Sequence, residues 1–98
     1  MEKIGITDKV KFLLQLSKSK QYSSDELKDV VSFTSLHSNN VILGRVFGFS
    51  VSDYAFATLF WLGTPETIEI YNNLSKGLST ERKAEINDLL AKKLYEQC

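Results

Sequence analysis

The 98-residue chain has one cysteine, one histidine and no excess of either charge. With Cys98 as its single thiol, it has no internal disulfide to form. His37, that cysteine and scattered acids do not make up the three or four ligands of a metal centre at any familiar spacing. Lysine and arginine together number twelve, as do aspartate and glutamate, so the formal net charge is zero. That balance excludes a strongly basic nucleic-acid arm, an acidic decoy and a polybasic membrane anchor. No apolar run reaches the roughly 18 residues from which a membrane-spanning helix is read. The opening stretch, Met1–Lys11, is charged and lacks the apolar middle of a secretion signal. A cytoplasmic protein with no membrane partner is the expectation, and no cofactor or small-molecule ligand is implied.

What is present is enough to fold. The chain is 43% apolar and 24% charged, a balance suited to one modest core rather than to disorder. The charges are unevenly placed. Residues 1–29 carry eleven of the twenty-four and residues 66–98 another eleven, which leaves Arg45 and Asp53 for the 36 residues of 30–65. The same middle segment holds seven of the eleven aromatic residues: Phe33, Phe47, Phe49, Tyr54, Phe56, Phe60 and Trp61. A segment so poor in charge has no solvated face of its own. Either the flanking parts of the chain cover it, or another chain does.

Capping signals and helical spacing divide the chain. Thr7 followed by Asp8 starts a helix over 8–20, with Val10, Leu13, Leu14 and Ser17 on one face. Ser23-Ser24-Asp25-Glu26 is a capping box for a helix over 24–34. Between His37 and Asn40 lies a turn cluster. The run 39–48 reads as a short helix that sets Gly44 and Gly48 one turn apart, although the same residues alternate as a strand does. Ser50 and Ser52 offer caps for 53–62, with Gly63 past its end. Thr64-Pro65-Glu66 is an N-cap, a first-turn proline and an acid. It opens a helix whose stripe is Ile68, Tyr71 and Leu74 and which Gly77 stops. Ser79 or Thr80 caps a last helix lined by Ile86, Leu89, Leu90 and Leu94.

No catalytic constellation emerges. His37 lies near Ser35 and Ser38, but Gly48-Phe49-Ser50-Val51-Ser52 lacks the second glycine of a nucleophile elbow. Gly44-Arg45-Val46-Phe47-Gly48 lacks the lysine and hydroxyl of a phosphate loop. Asn73-Leu74-Ser75 matches a glycosylation sequon but falls inside an expected helix.

The pattern therefore predicts an all-α fold, a compact bundle of five or six short helices forming a single domain over 1–98. Its expected function is non-enzymatic: an adaptor, inhibitor or assembly factor that binds protein and self-associates through segment 30–65. Interface cores are poor in charge and rich in aromatics and arginine, so Arg45, Phe47, Phe49, Tyr54, Phe56, Phe60 and Trp61 are the expected contacts. The alternative is an α+β, winged-helix-like order with an apolar hairpin at about 49–62. There helix 39–48 would read DNA through Asn39, Asn40 and Arg45. One arginine supplies little of the phosphate neutralisation on which such affinity rests.

Overall fold

The computed structural model describes residues 6–36, 45–46 and 49–92. In chain order they form α1 (Ile6–Ser19), α2 (Ser24–Phe33), β1 (Arg45–Val46), β2 (Phe49–Ser50), α3 (Val51–Leu62), α4 (Pro65–Ser75) and α5 (Thr80–Lys92). The fold is an all-α bundle. The two short strands add an antiparallel ladder of two rungs, with Arg45 opposite Ser50 and Val46 opposite Phe49.

The helix starts follow the local chemistry of the sequence. At α2, Ser23 Oγ accepts from the Glu26 amide at 3.1 Å and Glu26 Oε1 accepts from the Ser23 amide at 2.9 Å. This is the reciprocal pairing that satisfies two donors left open by the first turn. Ser50 and Asp53 repeat it at α3, with distances of 3.3 and 3.1 Å. Thr64 and Thr67 repeat it at α4, where Pro65 takes the first helical position. Ser79 Oγ accepts from the Arg82 amide at 3.2 Å and caps α5. Gly63, at φ 70°, ends α3 in the left-handed region where a side chain is disfavoured.

Two expectations are corrected. The short helix over 39–48 is not formed at Arg45–Val46, which are extended and paired to β2. Glycines at 44 and 48 weaken a helix there, and the β-branched and aromatic residues between them favour a strand. The winged-helix order also fails, because most of its 49–62 hairpin is α3. The Ser50–Asp53 box fixes a helical start at Val51, and burial on every side outweighs the strand preference of Tyr54, Phe56, Thr58, Phe60 and Trp61. A smaller difference lies at α1, which begins at Ile6, so that Thr7 falls within the helix rather than capping it.

The bundle is organised around α3. Eleven of its twelve residues are buried, as a helix that is apolar on all sides requires. Each of α1, α2, α4 and α5 packs against it. The segment with little charge is thus sheltered by the charged ends of its own chain. α1 lays Val10, Leu13, Leu14 and Leu16 into this core, and α2 adds Leu27 and Val30. Each such fully buried aliphatic side chain contributes about 1.5–3 kcal/mol. The α1–α3 contact has a polar centre as well. The Leu13 carbonyl accepts from Ser17 Oγ at 2.9 Å and from Thr58 Oγ1 at 3.3 Å, so both buried hydroxyls are satisfied.

Candidate interaction surface

The aromatic residues of the middle segment separate into a covered group and an uncovered one. Tyr54 is fully enclosed, and its ring meets that of Phe49 edge-on at 6.1 Å. Phe56 is buried with its ring 6.2 Å from that of Tyr71. Trp61 is also buried, and its carbonyl accepts from Lys20 Nζ at 2.7 Å. These four side chains are part of the core of this chain. Phe60 differs from them. It is the exposed residue of α3, with 46% of its surface open to water. Its ring lies 5.5 Å from that of Tyr71 on α4.

α4 completes this surface. Of its residues only Thr67 is buried. Ile68 and Tyr71 are half covered, and Leu74, one turn beyond Tyr71, is 38% exposed. The stripe expected to face the core therefore does so only in part. Of the large exposed apolar side chains, Phe60 meets the Tyr71 ring and Leu74 lies three residues beyond Tyr71 on α4. The third, Leu36, follows the end of α2. Burial pushes the Tyr71 phenol above its ordinary pKa of 10.0, because the low-dielectric surroundings disfavour the phenolate.

A polar bridge joins α5 to the start of α3. Arg82 Nε and Nη2 each lie 3.3 Å from Asp53 Oδ1, and Nη2 also donates to Ser52 Oγ at 2.7 Å. Ser52 Oγ in turn donates to the Thr34 carbonyl beyond the end of α2. Asp53 is wholly buried, while 16% of the Arg82 side chain is exposed. No buried side-chain nitrogen or oxygen among the described residues lacks a hydrogen-bond partner. The bridge ties α5, the start of α3 and the end of α2 together. Among the described residues no cluster of histidine, cysteine and carboxylate groups is suited to a metal ion.

Between α1 and α2 the surface opens into two hollows of about 570 and 390 Å³ on either side of Phe12. The ring of Phe12 meets that of Phe33 edge-on at 6.1 Å. In the larger hollow Tyr22 Oη bonds Thr64 and Glu66, and Glu26 completes the cap of α2.

Of the residues expected to form an interface, Phe49, Tyr54, Phe56 and Trp61 are thus enclosed and Phe60 is presented to solvent. Arg45 lies in β1 by its backbone. Phe47, together with Asn39 and Asn40 of the DNA-reading alternative, lies outside the described residues, as do His37 and Cys98. The participation of Tyr71 and Leu74 was not foreseen. The sequence does carry a signal for it, since the helix starting at Pro65 has few apolar residues to bury. No family model matches the chain, and comparison with curated proteins and with solved structures finds none that matches. No helix among the described residues is long and apolar enough to cross a membrane.

Proposed function

We propose that the chain is a non-enzymatic protein-interaction module that self-associates through the α3–α4 surface centred on Phe60. The observation that carries this reading is the exposure of Phe60 on a helix whose other residues are all buried. A phenylalanine left open beside a half-covered tyrosine and an exposed leucine is an apolar anchor of the kind that interface cores use. Zero net charge removes the long-range repulsion between copies that a charged chain has. The buried bridge at Arg82 and Asp53 supports a structural role for the polar residues rather than a catalytic one, since its members are spent on one another.

Sedimentation over a micromolar concentration series tests this. The wild type is expected to show a concentration-dependent rise in mass. Phe60→Glu is expected to remain monomeric with unchanged helical circular dichroism, because the position is already exposed. A strictly monomeric wild type that binds no apolar dye overturns the proposal, and so does a Phe60→Glu variant that associates as the wild type does.

A further inference from the structure

α1 and α2 each carry an aspartate followed one turn later by a phenylalanine: Asp8 and Phe12 on α1, Asp29 and Phe33 on α2. Residues four apart share one face of a helix, and here the two faces meet. All four side chains line the hollow of about 390 Å³, together with Lys9. The Phe12 and Phe33 rings stand at 79° with their centroids 6.1 Å apart, so they make two walls of a corner. Both rings are half-buried, and both aspartates are exposed. Unlike Asp53, neither carboxylate has an ion pair or hydrogen bond among the described residues. Lys9 is half-buried and has an interaction of its own. Two carboxylates against one ammonium leave the lining net negative.

We infer that this hollow binds a small organic cation, an ammonium group carried on an apolar body. Aromatic rings attract a cation through the negative charge of their faces, and alkylated ammonium groups suit such walls because they give up little hydration. The two carboxylates add attraction for a positive head and repel an anion. A hydrated metal ion gains nothing from the rings, and a neutral apolar ligand leaves the carboxylates unused. The hollow falls within the roughly 300–1,000 Å³ of small-ligand sites. It is larger than an ammonium head alone, so the apolar body fills the remainder against Phe12 and Phe33. Because Asp8 and Asp29 stay in contact with water, their pull is screened and the affinity is modest. The site is built from α1 and α2 and shares no residue with the Phe60 surface, so it stands or falls separately from self-association.

The probe is benzyltrimethylammonium, titrated into the full chain and followed by amide NMR shifts. It is expected to move the amides of 8–12 and 29–33 and to saturate by about 10 mM. N,N-dimethylbenzamide, uncharged and of similar size, should bind about fivefold more weakly or worse. Asp29→Asn should weaken the probe about threefold and the double variant Asp8→Asn, Asp29→Asn about tenfold, with circular dichroism unchanged. Phe33→Leu keeps an apolar wall and should cost about fivefold. Salt at about 1 M, where the screening length is about 3 Å, should remove most of the preference for the cation. Should the double variant fail to fold, Asp29→Asn and the salt series still decide. The proposal is overturned if the shifts centre elsewhere, if the charged and uncharged probes bind alike, or if Asp29→Asn and salt leave the affinity unchanged. An end-blocked glycyl-lysyl-glycine peptide carries the same charge on a protein side chain. Tighter binding of that peptide than of the probe overturns the assignment to a small ligand.

Discussion

Single side chains in this protein take on roles that their residue type alone does not announce. Asp53 is the plainest case. In the sequence it stands out as the sole acid in an uncharged stretch. In the fold it is the third residue of α3, receiving the Ser50 amide on one carboxylate oxygen and Arg82 on the other. Its partner Arg82 lies 29 positions away, a separation that no local pattern encodes. Tyr71 is a second case, half covered between Phe56 and Phe60. Because burial raises its pKa, the native state holds the phenolic proton more tightly than the unfolded chain does. The corresponding stabilisation is complete below the ordinary value of 10.0 and is lost as pH rises above it. Urea unfolding from neutral pH to above pH 10 should therefore show wild type losing stability relative to Tyr71→Phe. Parallel curves for the two proteins would remove the phenol from the account.

At the scale of elements, the ends of helices proved more legible than their interiors. Ser23, Ser50, Thr64 and Ser79 cap as their side chains suggest, because a cap is a contact over three residues that tertiary structure rarely overrides. The interior of 51–62 could be read as strand or helix, since its aromatic and β-branched residues suit a pleat and only its enclosure makes the helix preferable. Residues 45–46 went the other way for want of any such enclosure in the pattern. Which aromatics face inward was likewise hidden, because a helix apolar on every side has no periodicity to reveal its open edge. One helix end carries a prediction. Lys20 terminates α1 at φ 62°, a conformation costing a side-chain-bearing residue about 1–2 kcal/mol. Its ammonium nevertheless donates to the Trp61 carbonyl at the negative end of α3. Lys20→Ala loses the bond and keeps the strain, whereas Lys20→Gly loses both. The alanine variant should be less stable than the glycine variant by about 1 kcal/mol in urea midpoint analysis. The reverse order would show that strain at this position is negligible.

At the scale of the whole molecule, the distribution of charge foretold the architecture better than any motif did. Two charged ends and an uncharged middle become four amphipathic helices around an apolar one. Whether the middle would be wrapped by its own chain or by another could not be decided from composition, since both outcomes bury the same residues. The structure answers this residue by residue, with Tyr54 inside and Phe60 out. The arrangement also means that α1 and α2 owe their burial to a partner later in the chain. A fragment ending at Ser50 contains both helices and lacks α3. By circular dichroism it should show far less helix than the 14 and 10 residues it would hold in the intact fold. A fully helical fragment would mean that α1 and α2 stand without it.

That dependence has a consequence for biogenesis. As the polypeptide leaves the ribosome, α1 and α2 emerge with greasy stripes and nothing to lay them on. The scaffold is complete only when Leu62 has been made, and α4 and α5 follow it. Productive packing of α1 and α2 therefore waits until α3 has followed them out of the ribosome. Until then the nascent segment is a natural client for whatever holds sticky segments apart in the cell.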